Sequence, residues 1–264
     1  MKKITVILLS VLLLFCFASC GSESGTDTQT DSSQTTKKLD YLSVTESGSD
    51  VQTQEGAFPC VTDAMEYTLY QNIFYNDEGK NYEGETMSKT GTFATLYDEF
   101  NKVNRYYVWG YYDMTKCCDW QWEIKIEDLS KLPKNGSLVE MTGVFEKSED
   151  ALDGYWFTKP SITVKTAYKS IDCDVDMSVM SATLERVQII NLQNFKETFE
   201  GKKVAAYGRV VSGNTIQHPY YDGAWQQDMT PVTKVPNVDT EVLVVGTYKN
   251  GVITNAEVSE AECY

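Results

Sequence analysis

The same glycine-punctuated strand pattern runs twice through this chain in the same order, and that recurrence limits the folds open to it. Tyr82-Glu83-Gly84 is followed seven residues later by Gly91, and Phe199-Glu200-Gly201 is followed seven residues later by Gly208. Pro133 stands ten residues before Gly143, and Pro236 ten before Gly246. Each half closes on a strand-like segment opened by glycine: Gly154 in GYWFTKPSITVKT and Gly251 in GVITNAEVSEAE. Repetition in fixed order is the mark of a duplicated structural unit. A short stretch with helical spacing precedes each copy. In the second, Leu192, Phe195 and Phe199 fall at i, i+3 and i+7, and Gly201 is placed to end the helix.

The copies read as β-structure. In the first, strands are predicted over 86–97, 105–112, 120–126, 137–145 and 155–166. Trp122, Ile124 and Ile126 alternate with Glu123, Lys125 and Glu127, the period-two pattern of a half-buried strand. Gly91, Gly143, Gly208 and Gly246 fall inside strand patterns, where glycine commonly marks a bulge or a sharp bend. Five strongly bent strands in so short a unit suit a small barrel of the OB type. The second copy is shorter, with 38 residues from Gly208 to Gly246 against 52 from Gly91 to Gly143, so its middle strands are expected to be reduced. The fold class expected is mainly β: two tandem OB-like five-stranded barrels, each preceded by a short helix, after a disordered tether.

The N-terminus supplies an address. Lys2 and Lys3, an apolar run from Val6 to Phe17, then Ala18, Ser19 and Cys20 make an export signal ending in small residues. The run falls short of the roughly 20 residues needed to span a bilayer. A cysteine directly after the small pair resembles the lipobox of bacterial lipoproteins. That resemblance makes Cys20 the lipid-bearing first residue of the mature chain, held on the extracytoplasmic side of the cell membrane. Residues 20–58, rich in Ser, Thr, Asp and Gln, cannot bury enough apolar area to offset their ordering entropy and are expected to be a tether. As a coil of this length it would reach about 35 Å. The organisation expected is a signal over 1–19, tether over 20–58, a first OB-like domain over 59–170 and a second over 171–264.

Composition narrows the partners. Cleavage after Ser19 removes two lysines and no acid, which takes the net charge from −15 to about −17. Phosphate backbones are bound by clusters of Lys and Arg, and the basic pairs here, Lys37-Lys38 and Lys202-Lys203, are isolated. Nucleic acid is not an expected partner. Most hydrolase triads and catalytic zinc sites use imidazole, and this chain has one histidine, His218. No cofactor is expected, and no nucleophile or acid–base pair is legible, so the chain is read as a non-enzyme.

The segments YQNIFYNDEGKNYEGETMSKTGTF, DMTKCCDWQWEIKI and LPKNGSLVEMTGVF resemble a group of bacterial extracytoplasmic proteins with OB-like domains, many of them lipoproteins or soluble ends of membrane proteins. Asn72, Gly84, Cys117, Cys118, Glu123, Pro133 and Gly136 match the pattern of that group, and Glu85 stands where it has Lys. The resemblance covers the first copy, and the second only through its first and last strands. It brings no catalytic residue. It implies an OB-like fold, and a connection of some members with metal-handling membrane systems.

Two constellations carry the functional expectation. RYYVWGYYDM and WQW place Tyr107, Trp109, Tyr111, Trp120 and Trp122 on consecutive strands where OB barrels generally bind ligands. A wet aromatic platform for a small molecule or a partner protein is one reading, and core packing is the other. The adjacent Cys117 and Cys118 are weak candidates for metal thiolates. A structural disulfide from one of them to Cys60 or Cys173 is the competing reading, and with Cys263 the odd count leaves at least one thiol over. Asp172, Asp174 and Asp176 lack the glycine and glutamate of a calcium loop and read as a solvated linker. His218 beside Asp222 has no companion nucleophile. The function expected is therefore a membrane-anchored binding module, with a metal-handling accessory using Cys117 and Cys118 as the alternative.

Overall fold

The computed structural model describes residues 43–46, 61–168, 171–219 and 223–261. The signal, Cys20, Cys60, Asp222 and Cys263 lie outside the described residues. Four residues of the expected tether, Ser43–Glu46 (β1), form a strand parallel to residues 161–164. Coil was expected there, and the correction has a simple cause: the edge beside residues 161–164 offers unpaired backbone groups to any extended segment.

α1, Ala64–Phe74, begins where the Asp63 carboxylate accepts the Met65 and Glu66 amides at 2.9 Å each, satisfying donors that have no partner within the helix. The first sheet follows as β2 Thr86–Asp98, β3 Val103–Tyr111, β4 Asp119–Ile124, β5 Leu138–Lys147 and β6 Tyr155–Thr166. Residues 86–92 of β2 pair with β5, and residues 92–98 pair with β3. β2 hands over from β5 to β3 at Thr92, and Gly91 sits at the handover. A Cβ there would lie 2.7 Å from the Trp109 carbonyl oxygen. β3 pairs with β4, β4 meets β6 in parallel at Ile124 and Phe157, and β6 returns to β5, so five strands close a barrel. Its interior holds Phe93, Val108, Trp120, Trp122, Val139, Met141, Phe145, Phe157 and Ile162, sealed by Tyr70 and Ile73 of α1.

The second sheet contains β7 Val175–Asp176, β8 Lys203–Ser212, β9 Thr215–Gln217, β10 Gln226–Pro231, β11 Glu241–Lys249 and β12 Val252–Glu260, in the order β11-β12-β10-β9-β8-β7, with β11 also paired to β8. Its middle strands are reduced, as the shorter copy predicts: β9 has three residues. Gly208 marks the change of partner in β8, from β11 to β9. Gly143 and Gly246 both fall at register shifts, between Thr142 and Val144 in β5 and between Val245 and Thr247 in β11. The repeated glycines thus occupy corresponding bends and bulges in the two sheets.

The helical segment before β8 is longer than its apolar spacing predicts, and it is broken. α2, Ala182–Asn194, ends at Phe195, and a single turn, α3 Lys196–Phe199, follows. The two sheets are not independent beads. Ala94, Leu96, Tyr107, Trp109 and Tyr111 of the first share one apolar cluster with Val179, Leu184, Ile189 and Leu192 and with Val204 and Ala206 of β8. α2 is stitched to β2 as well: Gln188 Oε1 accepts the Tyr97 amide at 2.9 Å, and Asn191 Nδ2 donates to the Tyr97 carbonyl at 3.1 Å.

Candidate binding site

Alternation along β3 and β4 sorts their side chains onto two faces. Val108, Trp120, Trp122 and Ile124 point into the barrel. Tyr107, Trp109 and Tyr111 point outward, and register places Glu123 opposite Tyr107 and Gln121 opposite Trp109. All five aromatic residues expected to form a platform are buried, none more than 3 % exposed. Trp120 and Trp122 are barrel core. Tyr107, Trp109 and Tyr111 are covered by the segment leading into α2, where Trp109 Nε1 donates to the Val179 carbonyl at 3.1 Å. The expected platform is therefore closed, because the second half of the chain occupies the face on which an OB barrel generally takes its ligand.

Beside that covered face a polar seam runs along the outer side of β4, with Gln121 and Glu123 buried in it and Asp119 half-buried at its end. Asp119 accepts both the Thr183 amide (2.8 Å) and hydroxyl (2.7 Å), tying β4 to the start of α2. Next along the strand, Gln121 accepts from the Ser181 hydroxyl at 3.2 Å and its Nε2 lies 3.4 Å from the Tyr70 hydroxyl of α1. Glu123 comes last: one oxygen takes Arg105 Nη1 at 2.7 Å and the other takes the Leu152 amide at 2.7 Å. The loop carrying Leu152 joins β5 to β6 and is pinned again by Arg105 Nη1 on the Asp150 carbonyl at 2.7 Å. Asp153 follows, with surface open to solvent. Sequence reading missed this seam because α1, β4, the 148–154 loop and the start of α2 come from four separate stretches of chain. One signal was available: an arginine, Arg105, at the head of an aromatic strand with carboxylates in both neighbouring strands.

The electrostatics of the seam are those of crowded acids and phenols. Burial raises the Glu123 carboxyl above the usual range, despite the Leu152 amide and Arg105. Asp153, exposed as a residue, is nonetheless raised because neighbouring groups strip water from its carboxyl, against the pull of Arg105. For Asp98 burial acts in the same sense, but hydrogen bonds from Asn101 and Arg105 outweigh it and hold the carboxyl below its ordinary value. Tyr70 and Tyr107 are pushed well above theirs, first by burial and then by nearby acids, Asp153 and Asp119 for Tyr70, Glu123 and Asp153 for Tyr107. Tyr75 at the end of α1 is 54 % exposed and also feels Asp119 and Asp153. Tyr107 is 1 % exposed, and among the described residues its hydroxyl has no hydrogen-bond partner.

No family model matches this sequence, and no curated protein is significantly similar to it. No helix among the described residues is long and apolar enough to cross a membrane.

The remaining candidates lie away from the seam. Cys117, Cys118 and Cys173 are not joined in disulfides, which corrects the expected bridge to Cys173. Burial first, then Asp176, pushes the Cys173 thiol up to about 12. The aspartates at 174 and 176 are not a solvated linker. Asp174 accepts the Lys203 amide at 2.8 Å, while Asp176 lies in β7 and caps Ser178 with one oxygen, the other being buried without a partner among the described residues. Burial raises Asp176 to about 6 and lowers His218 to about 4. The two act on stability in opposite senses. Asp176, raised above an ordinary 3.8, loses stability as pH rises towards 6. His218, lowered from an ordinary 6.5, loses it as pH falls towards 4. Each effect is at most about 3 kcal/mol. Asp176→Asn should therefore be about 2–3 kcal/mol more stable than wild type at pH 7 and should weaken more steeply on acidification. Urea midpoints at pH 7 and pH 4.5 check both statements.

Proposed function

We propose that this chain is a lipid-anchored, extracytoplasmic and non-catalytic binding module that recognises a compact positive charge at the seam along β4. The observation that carries the reading is the buried Tyr107 hydroxyl, left without a partner among carboxyls that burial has raised. An ammonium or guanidinium group between Asp153 and Tyr75 would relieve the crowded negative charge, with cation–π attraction from exposed Tyr75 added. The net charge of −15 draws such ligands in and repels anionic ones. In this reading the second sheet is a reduced duplicate of the first OB barrel. It occupies the ancestral ligand face, and recognition has moved to the edge. Cys20 would carry the lipid, so Cys20→Ser should shift the protein from the membrane fraction to the medium.

Titration of the mature protein with arginine methyl ester, a small dication, tests the site. Saturable, salt-sensitive binding is expected, weakened at least tenfold in Asp153→Asn. Tyr107→Phe should also bind more weakly, yet unfold about 1–2 kcal/mol later, since it removes an unsatisfied buried hydroxyl. No saturable binding by the wild type, or equal affinity in both variants, would overturn the seam as the ligand site.

A further inference from the structure

The turn between β3 and β4 holds a second constellation, separate from the seam. Asp113 accepts the Thr115 amide at 2.9 Å, and Lys116 donates its amide to the Asp113 carbonyl at 3.1 Å. Lys116 takes a positive φ of 56°, and the Tyr112 amide closes the turn on the Cys118 carbonyl at 2.8 Å. In an extended strand neighbouring side chains point to opposite faces. Cys117 and Cys118 lie outside the named strands, and their sulfurs are 3.4 Å apart.

Cys117 is exposed and Cys118 half-buried. The Tyr67 phenol hydrogen-bonds Cys118, and its ring packs edge-on against Tyr112 at 5.3 Å. Two thioethers are also offered to solvent on this side of the protein. Met114, in the same turn, is 66 % exposed. Met65, in the first turn of α1, is 84 % exposed, and α1 is fastened to the base of this turn by the Asp63 amide on the Tyr111 carbonyl at 2.9 Å.

The sulfur spacing discriminates between coordination geometries. With metal–sulfur bonds of about 2.3 Å, a linear ion needs sulfurs roughly 4.6 Å apart and a regular tetrahedral one roughly 3.8 Å. A 3.4 Å bite corresponds to an angle near 95° (about 2.3 Å bonds), within reach of a pyramidal or compressed tetrahedral site and not of a linear one. Among the described residues no group of three or more His, Cys, Asp or Glu side chains is placed to hold a metal ion. Among these residues no third ligand is placed beside the pair, so the other coordination positions would be filled from solution. A closed four-ligand site holds its metal as part of the fold, whereas an open one exchanges it.

We propose that Cys117 and Cys118 form an open, bidentate site for a soft, thiophilic divalent cation, with the other positions filled from solution and the ion passed on by ligand exchange. Both thiols lose a proton on binding, so one cation is taken up for two protons released, with no change of oxidation state. Cys173, with its thiol raised to about 12, is a poor competitor for the same ion.

Cd²⁺ added to the reduced, chelator-free full chain is the test. One equivalent should produce the ultraviolet sulfur-to-metal charge-transfer band and protect two thiols from maleimide labelling. Cys117→Ser/Cys118→Ser should lose the band and bind at least 100-fold more weakly, while Cys173→Ser behaves as wild type. Equal Cd²⁺ affinity in the double variant, or labelling of Cys117 and Cys118 at an unchanged rate with cadmium present, would overturn the proposal. Neither result bears on arginine methyl ester at the seam.

Discussion

Trp109→Ala should lower the unfolding free energy by about 3–5 kcal/mol, the usual cost of truncating a large aromatic side chain in a core. The residue is fully buried, packs in the apolar cluster shared by both sheets, and bonds the Val179 carbonyl through its indole N–H. Its removal leaves that carbonyl without its donor and opens a cavity where the two halves meet. The variant should also lose cooperativity between them. With the joint weakened, the first barrel retains its own interior of Phe93, Trp120, Trp122 and Phe157, while the second sheet, with its three-residue β9, has less to hold it. Urea unfolding followed by circular dichroism, together with hydrogen exchange of β8 and β11, measures both effects. A loss under 1 kcal/mol, with a single sharp transition, would mean that the outer face of β3 is not the joint described here.

Arg105→Ala should cost about 3–5 kcal/mol at neutral pH, because it strands two buried carboxylates. Arg105 Nε lies 2.7 Å from Asp98 and Nη1 lies 2.7 Å from Glu123, and all three side chains are at most 8 % exposed. The deficit should shrink on acidification. Without the guanidinium both carboxyls rise, so protonation on acidification removes much of the unpaired charge while the wild type gains nothing comparable. Arg105→Lys should recover only part of the loss, since one ammonium cannot reproduce a fork that reaches β2, β4 and the 148–154 loop together. Chemical denaturation at pH 7 and pH 5 decides it. A deficit of the same size at both values would show that the lost packing of the arginine stem, and not the stranded charge, sets the cost.

Much of the first barrel was legible because its cues are local. Glycine at a bend, proline ahead of a strand and period-two alternation each act within a few residues, so all five first-copy strands were placed close to their observed limits. The split of Tyr107, Trp109 and Tyr111 from Val108 followed from the pleat alone. Which of the two faces stays wet did not follow, because the cover comes from Val179, Met180 and Leu184, about seventy residues further on. The cysteine pair failed for the opposite reason. The sulfurs of Cys117 and Cys118 lie 3.4 Å apart in the turn after Lys116, a proximity that depends on backbone and side-chain angles and that adjacency in sequence does not set. β1 escaped because four residues of modest β-propensity make a strand only when an open edge is presented to them.

The order and bending of the strands are written in the residues themselves, since glycine spacing and alternation constrain each segment whatever surrounds it. The burial of the aromatic face, the seam of Asp119, Gln121, Glu123, Tyr107 and Asp153, and the pairing of Cys117 with Cys118 came only with the folded chain. They depend on segments distant in sequence, or on the local conformation of a turn, and hydrophobic pattern is blind to both.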